Sequence, residues 1–496
     1  MRLWLTISLG LVSLGLTLSL TGCSPSSKPG LPPDSPFAET SVSFPDGLSS
    51  GIATGDVTDR SAVVWLRTDG PRKIQIEWAP VEEWTRAEAD RERAPYLART
   101  LLLETAPEHD YTLKVPIEGL KPGMRYRYQV LVEQQPPEVD SIPAAKVAAT
   151  GEFVTAPPPG AHAPVTFLWS GDLGGQQRCR DDGAGYPIFD VMRRQQPDFA
   201  ILLGDLMYSD DTCPSPPNAP GGDFTAATLD EYRAKHRYQR GAPALRRFLA
   251  VVPVFTIWDD HEVGNNFAGP YDPRMPIGRQ ALLEYWPIRT PPDDPARLYR
   301  RVRFGADLEL FILDTRQYRS RNAEPDGPGK TMLGRAQRAW LLDGLANSTA
   351  TWKVIATSVP LSNPKAGNLL TPGNDSWARG PDGTGFQTEL EQLVEAILSR
   401  RIRNVVWLAA DVHYVQANAY DPDGDGVADF HEFICGPLSA AYGRPTPPNP
   451  VFKPMTLFSD SGYSNFGLVS VKRTTLEVRI LDDKGALRAT HTLRAR

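Results

Sequence analysis

Six short, almost uninterrupted apolar runs punctuate the chain from Val165 onward: "VTFLWS", "DFAILLG", "PVFTIW", "LELFIL", "KVIATS" and "NVVWLAA". Runs of this length are strands, and strands without polar alternation need cover on both faces. The cover is at hand in the intervening stretches, among them "YPIFDVMRRQQ", "LDEYRAKHRYQR", "GRAQRAWLLDGLA" and "GTGFQTELEQLVEAILSRR", which pattern as helices. Strands alternating with helices predict an α/β fold over residues 164–496, whose last strands are "FGLVSVKR", "TLEVRIL" and "ATHTLRA". Residues 45–156 read differently. "SAVVWLRT", "KIQIEWAP" and "LKPGMRYRYQVLVE" are short alternating strands with turn signals between them. A tyrosine soon after the Pro-Gly turn resembles the tyrosine corner of immunoglobulin-like sandwiches, so a small all-β domain is expected, followed by a linker at "FVTAPPPGAHAP".

The ends of the α/β strands share a chemistry. "FLWS" runs into Gly171-Asp172, "AILL" into Gly204-Asp205 with Tyr208 one turn on, and "VFTIW" into Asp259-Asp260-His261-Glu262. "LFIL" runs into Asp314-Thr315-Arg316, and "VVWLAA" into Asp411-Val412-His413. Any one aspartate after a strand can be a cap or a turn residue. Five strands delivering acids to the carboxyl edge of one sheet are a site, because that edge is where open α/β sheets bind ligands. Clustered carboxylates repel one another, so the pattern predicts bound cations. Of the seven histidines, only His261 and His413 follow these strands. An oxygen-rich set with a tyrosine disfavours zinc and favours ferric iron, calcium, manganese or magnesium, and a phenolate suits the ferric ion.

The N-terminus limits where this happens. Arg2, an apolar stretch and "LTGC" at residues 20–23 form an export signal over residues 1–22. The Leu-small-Gly-Cys pattern resembles the lipobox of bacterial lipoproteins, which makes Cys23 the lipid attachment site and residues 23–44 a flexible tether. The expected location is extracytoplasmic, with the lipid as the only membrane contact. An oxidising compartment permits one disulfide among Cys179, Cys213 and Cys435; Cys179 and Cys213 either pair or stay as buried thiols. A net charge of −6 carries no basic footprint for nucleic acid, and a monomer is expected.

Taken together, "SGIATGDVTDRSAVVWLRT", "GDLMYSDD", "VFTIWDDHEVGNN", "FILDTRQYRS" and "LAADVHYVQANAY" resemble the alkaline phosphatase D (PhoD-like) family of the calcineurin-like metallophosphoesterases. The resemblance implies an α/β/β/α metallophosphoesterase sandwich preceded by a fibronectin- or immunoglobulin-like domain. It departs in two places. The family has Cys where this chain has Asp172, and "SGDLGGQ" is similar to the first motif of purple acid phosphatases; relatives with a late His-x-His have His where Asp411 stands. Carried over by position, Fe3+ would take Asp172, Asp205, Tyr208 and His413. A second divalent ion, Ca2+ with Mn2+ or Mg2+ as alternatives, would share Asp205 and add Asp260 and Asp411. The superfamily's His at the end of "KVIATSVPLS" is missing.

The implied chemistry is hydrolysis of phosphate mono- or diesters by a hydroxide activated between two metals. His261 would protonate the leaving group, and Arg316 would offset charge on the transferring oxygens, or else pair with Asp314 or Glu262 as scaffold. The competing reading is a surface-anchored binding protein with a degenerate, inactive phosphoesterase domain. Finally, Asp421, Asp423, Asp425, Gly426, Asp429 and Glu432 match an EF-hand loop but lie between strands, so either structural calcium or a hairpin turn is expected there.

Overall fold

The computed structural model describes residues 47–89, 97–133 and 145–496. The export signal, Cys23 and the tether lie outside the described residues. No helix among them is long and apolar enough to cross a membrane.

Two large sheets make up the body. The first has nine strands, in the order Leu487–Arg494, Thr475–Asp482, Asn465–Lys472, Val165–Ser170, Phe199–Leu203, Val254–Ile257, Ile52–Gly55, Ser61–Arg67 and Thr112–Glu118. Its centre is parallel: Phe199–Leu203 lies between Val165–Ser170 and Val254–Ile257. The second has seven strands, in the order Arg300–Phe304, Leu308–Ile312, Trp352–Ala356, Val405–Ala409, Phe430–Ile434, Val415–Tyr420 and Pro454–Asp460.

The pleat sorts side chains between layers. Leu308, Leu310 and Ile312 join Val406 and Leu408 in a core shared with Phe167, Leu168 and Ile201 of the first sheet. Phe311, Val405 and Trp407 point the other way and pack with Leu341 and Leu345 of helix Gly334–Asn347 and Leu390 and Leu393 of helix Gln387–Ser399. Helices Ile188–Arg194 and Pro243–Val251 add Ile188, Phe189, Leu245 and Phe248 on the first sheet. The layering is the α/β/β/α sandwich that the family resemblance implied, built on the α/β alternation read from the strands and helices. Helix Leu229–Arg240 begins at a capping box of Thr228 and Glu231 and ends at Gly241, and the next helix starts on Pro243.

The N-terminal region is β-rich as expected, with one small helix, Val81–Ala89. Lys121 N donates to the Tyr126 hydroxyl at 2.8 Å, the hydrogen bond of a tyrosine corner. Its small sheet pairs Lys73–Pro80, Arg125–Glu133 and Ala145–Val154. Strands Ile52–Gly55, Ser61–Arg67 and Thr112–Glu118 instead extend the nine-stranded sheet, through Gly55 beside Val254 in parallel register. The join is reinforced by side chains. The Arg240 guanidinium lies between the rings of Trp65 and Trp286, at 4.1 and 4.4 Å, and Arg300 pairs with Asp56 at 2.8 Å. The stretch expected as a linker is also tied down: Ala156 N donates to Thr58 O, and Ala306 N to Ala161 O.

Candidate metal centre

The carboxyl ends of the parallel strands in both sheets meet at one place. Asp172, Asp205 and His413 bring one ligand atom each within 4.8 Å of one another, as do Asp205, Asp260 and His261, and Asp259, Asp260 and Asp411. Asp205 and Asp260 each belong to two of these groups. Asp172, Asp205, Asp411 and His413 all have positive φ, between 51° and 72°. Non-glycine residues adopt that conformation at a cost, and where such residues cluster the surrounding structure is holding side chains in a functional direction.

Packing leaves little choice of position. A Cβ at Gly175 would overlap the ring of Tyr208, and one at Gly204 would overlap Asp259. The Tyr208 hydroxyl lies 3.1 Å from His413 Nε2, which lies 3.6 Å from Asp172 Oδ1. His413 Nδ1 donates to the Ala441 carbonyl at 2.7 Å, leaving the Nε2 lone pair for a ligand. Burial, with Lys365 adding to it, lowers the His413 pKa to about 3, so the ring is neutral. Glu262 fastens two strand ends together: its carboxylate accepts from the backbone of Asp205 at 3.0 Å, Leu206 at 2.8 Å and Asp259 at 2.9 Å.

Electrostatics marks the cluster as short of positive charge. Burial and then the neighbouring carboxylates push Asp172 and Asp205 well above the usual range. Burial raises Asp411 as well, against the opposing pull of Lys365. Burial would raise Asp260 too, but Arg316, His261, Lys365 and the Asn266 N–H together hold this carboxyl low. Asp172 Oδ2, Asp260 Oδ1 and Asp411 Oδ2 are buried without a hydrogen-bond partner. Buried, unpaired carboxylate oxygens converging from different strands are a donor set for hard cations, and the residues present fit such ions.

A cavity of about 310 Å3 opens beside the cluster, lined by His261, Asn265, Lys365, Asp411, His413 and Tyr442 among others. His261 Nδ1 lies 2.7 Å from Asp210 Oδ1, and its ring lies 4.2 Å from that of Tyr208, centre to centre. Burial alone would depress this imidazole, but Asp260 and Asp210 outweigh it and raise the pKa to about 9.

The structure corrects one expectation. Arg316 does not face the cavity. It is fully buried, its guanidinium clasping Asp259 at 2.6 and 2.9 Å and Asp375 at 2.9 Å. Its scaffold partners are therefore those two acids, and Asp314 meets only its backbone N–H. Nη2 lies 3.7 Å from both Asp260 and Asp411, and Arg316 does not line the cavity. The acidic loop at 421–432, where calcium or a turn was expected, does not take the EF-hand arrangement, although Asp421, Asp423 and Asp425 bring one oxygen each within 4.8 Å of one another. Glu432 is fully buried on its strand, accepting from Leu361 N at 2.6 Å and Tyr420 Oη at 2.5 Å. Asp421 and Asp425 cap the loop's own backbone.

Four residues escaped the strand-end pattern: Asp210, Asn265, Lys365 and Asp375. Asp210 is readable as the acid one turn beyond Asp205 on the same loop, whereas the other three have no sequence signal. Cys179 and Cys213 form a disulfide with Cα atoms 5.8 Å apart, joining the loops that follow Asp172 and Asp205, and Cys435 is a buried free thiol.

With this geometry in hand, the comparisons are consistent. In sequence the chain is 28% identical over 400 residues to alkaline phosphatase D of Bacillus subtilis strain 168, an alignment spanning 73% of this chain and 64% of that protein's length. In fold it is similar to PhoD, with a TM-score of 0.71 and 24% identity over 91% of this chain and 90% of that one. A purple acid phosphatase from yellow lupin seeds shares the fold at a TM-score of 0.60 and 13% identity, over 90% of this chain and 74% of that one. Residues 173–480 match the model of the PhoD-like phosphatases, and residues 36–157 match the N-terminal domain of the same family. These two matches cover most of the sequence, and the chain belongs to the PhoD-like phosphatase family.

Proposed function

We propose that this chain hydrolyses phosphate mono- or diesters at a metal centre, outside the cytoplasm. The observation that carries the reading is the convergence of Asp172, Asp205, Tyr208, Asp260, Asp411 and His413 beside a cavity, with three buried carboxylate oxygens left unpaired. Asp172, Asp205, Tyr208 and His413 would hold one ion, read as Fe3+ because of the phenol. Asp205, Asp260 and Asp411 would hold a second, divalent and oxygen-loving ion such as Ca2+. Ions bound there supply Lewis acidity and lower the pKa of a water molecule.

The chain's own residues do the rest. His261 lines the cavity with Nδ1 fixed by Asp210, so its Nε2 can hold a proton for the leaving oxygen. Arg316 holds Asp259 and Asp375 in place below the site. The lipobox-like "LTGC" and the disulfide support an oxidising, extracytoplasmic setting with the chain anchored through Cys23.

The deciding experiment assays the purified protein on 4-nitrophenyl phosphate and bis(4-nitrophenyl) phosphate, with metal analysis of the same sample. Turnover that follows metal content is the expected result. A folded, metal-replete protein inert on both esters would instead favour a degenerate domain that only binds. Membrane release of a Cys23→Ala variant tests the anchor separately.

A further inference from the structure

We propose that Lys365 reads the additional charge of a terminal phosphate, and so separates monoesters from diesters; this rests on the phosphoesterase reading above. Among the described residues lining the cavity, Lys365 is the only lysine or arginine. Its side chain is 29% exposed, whereas Arg316 has no exposure at all. The ammonium lies 2.6 Å from Asp411 Oδ1 and 3.9 Å from Asp375 Oδ2, the second distance too long for a hydrogen bond. An ammonium has three N–H donors, so donors remain for a ligand in the cavity.

The position is built rather than incidental. Pro364 precedes Lys365, and the Lys365 backbone N–H donates to Asn374 Oδ1. Asn374 is fully buried and its N–H is held by Thr384 Oγ1 at 2.7 Å. The ion pair with Asp411 then sets the direction of the ammonium next to a candidate metal ligand. The loop leads out of strand Trp352–Ala356, so a strand end that brings no histidine brings a lysine instead.

The selectivity follows from the substrates. A phosphomonoester at alkaline pH is a dianion with three charged non-bridging oxygens. A diester is a monoanion with two, and its third position is an esterified oxygen that carries no charge. Metal ions engage non-bridging oxygens in either case. A further cation at the cavity wall has a charged oxygen to meet only in the monoester, or in its inorganic phosphate product.

The test compares wild type with Lys365→Met, Lys365→Gln and Lys365→Arg, all metal-loaded. It measures kcat/KM on 4-nitrophenyl phosphate and on bis(4-nitrophenyl) phosphate, affinity for inorganic phosphate by calorimetry, and metal content. For Lys365→Met the monoester should fall about 10- to 100-fold further than the diester, and phosphate affinity should weaken comparably. Metal content should stay unchanged, and Lys365→Arg should recover part of the loss. Equal losses on the two esters, no loss, unchanged phosphate affinity, or a loss that tracks missing metal would each overturn the assignment. So would a chain that folds only with Lys or Arg at this position, since the role would then be structural. A wild type inert on both esters that still binds phosphate through Lys365 would sink the hydrolase reading and leave this one standing.

Discussion

Replacing Asp210 by Asn separates the position of His261 from its charge state. Asp210 Oδ1 meets His261 Nδ1 at 2.7 Å, and Oδ2 accepts from Asn265 N at 2.7 Å. An asparagine keeps the shape but must turn its NH2 toward one of those two donors. In either orientation the imidazolium loses its anionic partner. A hydrogen bond to a charged group contributes about 1.5–3 kcal/mol, and about 1.4 kcal/mol corresponds to one pKa unit. The sign is fixed by the charge: Asp210 favours the protonated ring, so its loss lowers the His261 pKa by about 1–2 units. An acid with a lower pKa is deprotonated sooner as pH rises, and the alkaline limb of kcat should therefore move toward neutrality. The assay is a pH profile of kcat on an alkyl phosphate, whose leaving group needs a proton, beside a nitrophenyl ester, which needs little. The alkyl substrate should lose about 10- to 100-fold at alkaline pH and the nitrophenyl ester much less. A folded, metal-replete variant with an unmoved alkaline limb would falsify the role of His261 as proton donor.

The remaining predictions concern the ions and the scaffold. Asp205→Ala should lose both turnover and metal while its far-ultraviolet spectrum is retained; near-normal activity would remove the shared-ligand reading. With Fe3+ bound to Tyr208 the protein should absorb visible light and Tyr208→Phe should bleach it, so a colourless, active, iron-free preparation would exclude iron. Replacing Cys179 and Cys213 together by Ser should lower stability by about 2–4 kcal/mol, given a sequence separation of 34, and unchanged denaturant midpoints would show that the loops do not depend on the bridge. Burial, aided by Arg240 and Arg237, lowers the His236 pKa to about 3, below its ordinary value of 6.5. The unfolded chain takes up that proton first as pH falls below 6.5, so stability drops from there. His236→Phe should spare about 2 kcal/mol of the loss between pH 7 and pH 5, and identical losses would assign it elsewhere.

What could be read from sequence follows from where the physical information sits. Strands such as Phe199–Leu203 announce themselves because five adjacent apolar residues need cover on both faces. Asp172, Asp205, Asp260 and Asp411 were legible because each stands just beyond such a strand, where topology alone decides which edge it joins. Lys365 and Asp375 sit far along a loop, and nothing local shows that the loop folds back over the site. Arg316 was legible as a residue at the strand end but not in direction, because charge does not tell whether a side chain turns toward solvent or toward a buried acid. The acids of 421–432 matched a calcium loop in spacing, yet Glu432 lies on a strand whose pleat turns it into the core. The small domain was legible as β, but the strand that Ile52–Gly55 joins lies too distant in sequence for any pattern to reveal.

That long-range pairing has a kinetic consequence. Gly55 waits for Val254, roughly 200 residues later, and Trp169 waits for Gly467 near the other end of the chain. The parallel centre of the nine-stranded sheet is thus closed on both flanks by segments made long before and long after it. Until all three meet, Val254–Ile257 and Val165–Ser170 are bare strand edges able to pair with other chains. Refolding from denaturant should be slow and should lose yield steeply with protein concentration. A shortened form that begins after Ile52–Gly55 leaves one of those edges bare permanently, so a truncation intended to isolate the catalytic half would produce an aggregating chain.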